Sequence, residues 1–63
     1  MYIIINPFTN KPIQFSSFKD EDFQVTDRNL NGDFETKIAL CLEHEFDLSL
    51  LEKTYDPITG TFN

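Results

Sequence analysis

The residues Asp27-Arg28-Asn29-Leu30-Asn31-Gly32 form the most specific chemical pattern in the chain. They fill the opening positions of a calcium-binding loop, D-x-[DN]-x-[DN]-G, where alternate side-chain oxygens ligate the ion and glycine makes the sharp turn. Glu35 falls at the ninth position, often a water-mediated ligand. The twelfth, where the ion needs a bidentate Glu, is Ile38, and no entering helix precedes Asp27. The tip of an Asn-Gly hairpin explains the same residues without a metal. The sequence therefore assigns no metal ligand and no cofactor.

The remaining reactive residues stand alone. His44 lies between Glu43 and Glu45, and no Ser, second His or Cys is at a readable triad spacing. It reads as an exposed residue of an acidic stretch. Cys41, the single cysteine, sits in Ile38-Ala39-Leu40-Cys41-Leu42 with no basic neighbour to activate its thiol. It reads as a small buried or edge residue. With no nucleophile, base and orienting group converging, no catalytic residue is assigned and the chain is expected not to be an enzyme.

Charge and aromatics carry more weight. Eleven acids against five bases give a net charge of −6. Direct nucleic-acid binding is not expected, because phosphate neutralisation needs clustered Lys and Arg. The charge is uneven: residues 1–19 hold Lys11 and Lys19 and no acid, whereas Asp20, Glu21 and Asp22 follow together. Seven Phe and two Tyr are more than a thin two-layer core of this size can enclose. Phe8, at a loop tip, and Phe18, in a polar connector, break the alternation of their neighbours. With Phe62 near the C-terminus they are the candidate anchors for a protein partner. Asp20, Glu21 and Asp22 are the candidate polar contacts.

These residues must be positioned by a small scaffold. At 63 residues and 7.4 kDa the chain is read as one small domain, 1–63. Folding buries about 60% of the unfolded surface of such a chain. Apolar burial then contributes about 100 kcal/mol and conformational entropy opposes it by roughly 95 kcal/mol. Stability alone is marginal. No disulfide and no closed zinc site can be built from one Cys and one His. A partner surface is the remaining source of stabilisation.

The aliphatic run Ile3-Ile4-Ile5 is far short of a membrane span. No basic segment precedes it, and it is too short and ends in Asn6-Pro7, so secretion by a signal peptide is not expected. The expected setting is intracellular, cytoplasmic or within an assembled particle, and the lone cysteine suits a reducing compartment.

The pattern predicts an α+β fold. Residues 2–6 are β-branched and residues 13–16 alternate, giving a hairpin around the Pro- and Asn-rich loop between them. Residues 23–30 and 33–42 flank Asn31-Gly32, the strongest short-range hairpin signal. Counted outward from a two-residue loop, Val25 faces Ile38, Phe23 faces Leu40 and Arg28 faces Glu35. Phe23, Val25, Phe34, Ile38 and Leu40 then share one face. A helix is the competing reading of residues 34–46, because Phe34, Ile38, Leu42 and Phe46 recur at i, i+4; the hairpin count favours strand to Leu42. Residues 48–55 read as a short helix capped by Asp47, with Ser49 to Glu52 at capping-box spacing as an alternative start, and stopped by Asp56-Pro57. Thr61-Phe62 either adds a short strand or packs Phe62 on the core. Asn6-Pro7-Phe8-Thr9-Asn10 and Asp56-Pro57-Ile58-Thr59-Gly60 share turn chemistry without implying a repeat.

The function expected from these features is a non-enzymatic accessory or structural subunit of a larger protein assembly. A virion component or another multi-copy complex would suit such a chain. The alternative is a small acidic inhibitor or modulator that covers a basic site of an enzyme, one handling nucleic acid included. Salt separates the two, because electrostatic docking weakens with ionic strength and apolar anchoring does not.

Overall fold

A computed structural model describes all residues, 1–63. The strands are antiparallel throughout and fall into three small sheets. Strand β1 (Tyr2–Ile5) is the centre of the first sheet, between β2 (Pro12–Ser16) and β5 (Leu40–Glu43). Strands β3 (Gln24–Arg28) and β4 (Phe34–Ile38) form a hairpin, and β6 (Tyr55–Asp56) pairs with β7 (Thr61–Phe62). No helix is long and apolar enough to cross a membrane.

The isoleucine run explains why β1 is central. A strand flanked on both edges and covered on both faces reads as a continuous aliphatic stretch. Ile3, Ile4 and Ile5 are accordingly 0–1% exposed. Ile3 and Ile5 share a face with Phe15 of β2 and with Leu40 and Leu42 of β5, and Leu50, Tyr55 and Phe62 close over them. Ile4 lies on the other face, level with Gln14 and Cys41. Ile4 pairs with Gln14 and Ile5 with Pro12, so Ile13 is the extra residue of a bulge. Pro12 opens an edge strand, where its missing N–H costs no ladder bond.

Residues 34–43 are extended, not helical. Ala39 divides them: its N–H donates to the Phe23 carbonyl at 2.8 Å, ending the β3–β4 ladder, and the chain then crosses to β1 as β5.

Two expectations need correction. The helix over 48–55 is instead a 3₁₀ turn over Leu48–Glu52, so α+β overstates the helical content. Asp47 does cap it, accepting from the Ser49 N–H at 3.0 Å and the Ser49 hydroxyl at 2.7 Å. Five residues are too few to propagate an α-helix, and Tyr55 is drawn into a ladder with Phe62. Phe62 thus both forms a strand and packs on the core.

The β3–β4 register is also one residue away from the expected pairing. Arg28 faces Phe34, Asp27 faces Glu35, Val25 faces Lys37 and Gln24 faces Ile38. The loop has three residues, Leu30-Asn31-Gly32, not two. The Gly32 N–H donates to the Asn29 carbonyl at 3.0 Å, and only Gly32, at φ 82°, takes a left-handed conformation. Asn29 selects this loop: its Oδ1 accepts from the N–H groups of Asn31 (2.9 Å) and Asp33 (3.1 Å). A slip of one residue reverses every side chain. Phe34 and Ile38 therefore leave the face of Phe23 and Val25, and the expected Arg28–Glu35 pair does not form.

The two Asx-Pro turns are built alike. Asn6 Oδ1 accepts from Phe8 N–H and its carbonyl from Asn10 N–H, at 2.9 and 2.8 Å. Asp56 accepts from Ile58 and Gly60 at the same two distances. Each turn ends in a left-handed residue, Asn10 (φ 61°) or Gly60 (φ 72°).

Candidate functional site

The interior is small. Only Ile3, Ile4, Ile5, Ala39 and Leu50, five of 63 residues, are buried. The Cα radius of gyration is 11.8 Å, above the value of about 10.6 Å usual at this length. Large apolar side chains left outside include Phe18, Leu30, Phe34, Ile38, Phe46, Leu48 and Ile58.

The outward face of the β3–β4 hairpin carries two of them, Phe34 and Ile38, with Leu30 at its tip. Alternation places Gln24, Thr26 and Arg28 of β3 beside Ile38, Thr36 and Phe34 of β4. Phe34 is 71% and Ile38 50% exposed. The Arg28 guanidinium carbon stands 4.5 Å from the Phe34 ring centre, and one of its N–H groups donates to the Gly32 carbonyl at 2.9 Å. The Thr26 and Thr36 hydroxyls bond across the strands at 2.8 Å. Leu30 projects from the tip, fully exposed. The face is partly apolar and free of acids.

The opposite face of the hairpin is different. Asp27 and Glu35 stand directly across from each other, a like-charge pair. The Lys37 ammonium lies 4.8 Å from the Phe8 ring centre, so the first turn reaches over this face. A cleft of about 500 Å³ lies there, lined in part by Pro7, Phe8, Asn29, Glu35 and Lys37.

The residues singled out from sequence are placed separately. Phe18 is 62% exposed, in a turn where the Ser16 hydroxyl accepts from its N–H at 3.3 Å. Phe8 is half-buried beneath Lys37. Phe62 is half-buried on the core, its ring centre 5.1 Å from Tyr55 and 5.6 Å from His44. Asp20 Oδ1 accepts from the Asp22 N–H at 3.1 Å, and Glu21 pairs with Lys19 at 3.6 Å. Sequence reasoning missed Phe34, Ile38 and Leu30 as surface residues. The Asn29 side chain was the available signal, because it favours the longer loop that turns them outward.

The chemistry-bearing residues do not converge. Asp27 Oδ1 accepts from the Arg28 N–H at 2.7 Å, and Asn29 Oδ1 is turned to the loop's own N–H groups. No group of three or more His, Cys, Asp or Glu side chains is arranged to hold a metal ion. His44 Nδ1 lies 2.9 Å from the Glu45 carbonyl, and Cys41 is half-buried on strand β5. The Asp47 carboxyl is held below its ordinary value of 3.8 by the Ser49 hydroxyl and then the Ser49 N–H.

No family model matches the chain, and no curated protein and no solved structure matches it.

Proposed function

We propose that the chain is a non-enzymatic accessory or structural subunit that works through protein–protein contacts in a larger assembly. One observation carries the reading: the apolar surface left outside is large for an interior of five buried residues. Isolated apolar side chains on a surface are ordinary, but Phe34 and Ile38 together on one sheet face, with Leu30 at its tip, favour a contact surface. The fold also has unpaired strand edges. It makes 27 backbone–backbone hydrogen bonds over 63 residues, where about 40 are usual. A partner that covers the face or extends a sheet supplies burial the chain lacks.

The test is the native size of the chain in extracts of the cells that make it, at low salt and at about 1 M salt. The subunit reading expects a particle heavier than two copies of this 7.4 kDa chain that survives high salt. Release of the free chain by salt contradicts it and favours the acidic-inhibitor reading instead.

A further inference from the structure

We propose that the free edge of β4 pairs antiparallel with the β4 edge of a second copy of this chain, making a symmetric dimer through one continuous sheet. The proposal deepens the subunit reading and rests on it: it names one partner that extends this sheet.

The backbone defines the edge. The Asn29 N–H donates to the Asp33 carbonyl and the Ala39 N–H to the Phe23 carbonyl, both at 2.8 Å. In the observed register the residues opposite one another at 29/33, 27/35, 25/37 and 23/39 therefore direct their N–H and C=O groups across the hairpin. Those of Phe34, Thr36 and Ile38 point away from β3, along an edge that no other strand covers. Every residue of β4 is exposed.

The sequence of that edge, Phe34-Glu35-Thr36-Lys37-Ile38, is complementary to itself when reversed. A two-fold axis at Thr36 sets Thr36 against Thr36 of the second copy, Phe34 against its Ile38, and Glu35 against its Lys37. This register matches two independent requirements. It joins the outward N–H and C=O groups of Phe34, Thr36 and Ile38 to their own counterparts. It also makes Glu35–Lys37 the closer, non-hydrogen-bonded pairs, where side chains interact best.

Two features of the single chain fit this arrangement. Glu35 faces Asp27 across the hairpin and has no salt bridge to a base; Lys19–Glu21 is the one ion pair in the molecule. Lys37 from a second copy supplies the missing cation. On the outward face, the Thr26–Thr36 hydroxyl pair continues into its counterpart, and each Phe34 gains an Ile38 neighbour. A lysine on an edge strand commonly guards against such pairing. Here a glutamate two residues away turns the same lysine into a specificity element.

The experiment is sedimentation equilibrium of the whole chain from micromolar to millimolar concentration. It compares the native sequence with Glu35→Lys, Lys37→Glu and the double exchange Glu35→Lys/Lys37→Glu. Circular dichroism follows the fold of each. The native chain and the double exchange are expected to dimerise. Each single reversal places like charges opposite across the axis and is expected to weaken dimerisation on the order of tenfold or more. Glu35→Lys also relieves the Asp27–Glu35 repulsion, so its loss of dimer cannot be ascribed to a lost fold. A native chain that stays monomeric at millimolar concentration overturns the proposal. So does a dimer insensitive to the single reversals, or one the double exchange fails to restore. A heavy native particle with no β4 dimer removes only this pairing, whereas the free chain alone in cells removes the subunit reading too.

Discussion

The Tyr55 N–H donates to the Asn10 carbonyl at 2.8 Å, which fastens the C-terminal hairpin to the turn between β1 and β2. The two hairpins are built on the same Asx-Pro chemistry, and the bond lets the second close over Ile3 and Ile5. Asn10 holds this position at φ 61°, a conformation most side chains resist. Asn10→Ala is expected to cost about 1 kcal/mol, and Asn10→Gly much less. In a domain of this size that is a fall in Tm of about 4–8 °C, measured by thermal unfolding of the two variants beside the native chain.

Leu50 joins the 3₁₀ turn to the sheet as the one buried residue outside β1 and Ala39. Leu50→Ala is expected to cost about 2–5 kcal/mol. In a chain of marginal stability that amounts to loss of the cooperative transition, read by near-ultraviolet circular dichroism. Phe34→Ser, at a position 71% exposed, is expected to shift stability by no more than about 0.5 kcal/mol. The urea midpoint of Phe34→Ser beside that of the native chain checks the contrast. An equal loss from Phe34→Ser would mean that its face is part of the interior.

Asp47 makes the 3₁₀ turn pH-dependent. Its carboxyl is depressed in the folded chain, first by the Ser49 hydroxyl and then by the Ser49 N–H. A depressed acid contributes stability above its unfolded value and loses it as pH falls through the folded one. The contribution is therefore complete above 3.8 with a margin, and is lost below that value. Carboxyl titration by NMR is expected to place Asp47 below 3.8, and Ser49→Ala to raise it. An unchanged titration in Ser49→Ala would contradict the assignment of cause.

Gly32 supplies the left-handed residue that the three-residue β3–β4 loop needs, at φ 82°. A Cβ added at Gly32 meets nothing within 4 Å, so Gly32→Ala is expected to cost only the left-handed conformation, on the order of 1–2 kcal/mol. Hydrogen exchange is expected to show faster opening of β3 and β4 than of β1 in that variant. Uniform acceleration across all strands would show instead that the hairpin and the first sheet open together.

Local chemistry made much of this fold legible. The β1–β2 hairpin, the strand reading to Leu42, the Asp47 cap and the shared Asx-Pro turns all follow from residues a few positions apart. What escaped depends on longer range or on a single side chain. The pairing of β5 with β1 joins residues far apart in sequence, and no periodicity announces it. The helix over 48–55 gave way because Tyr55 finds Phe62 across a turn. Phe34 and Ile38 were read as sharing the face of Phe23 and Val25, and one side chain turns them away: Asn29 captures the N–H groups of Asn31 and Asp33, adds a residue to the loop, and carries Phe34 and Ile38 to the outside. Phe18 was legible as exposed, because it interrupts a polar connector.

The central claim is that the chain acts through its exposed apolar surface. A photo-reactive phenylalanine analogue placed at Phe34 or Phe18, in the cells that make the protein, tests it directly. Phe34 is expected to cross-link to another protein chain in a product that high salt does not prevent, and the same analogue at the half-buried Phe62 is expected not to. If Phe34 and Phe18 yield only the uncross-linked 7.4 kDa chain, the surface faces water and the account is contradicted.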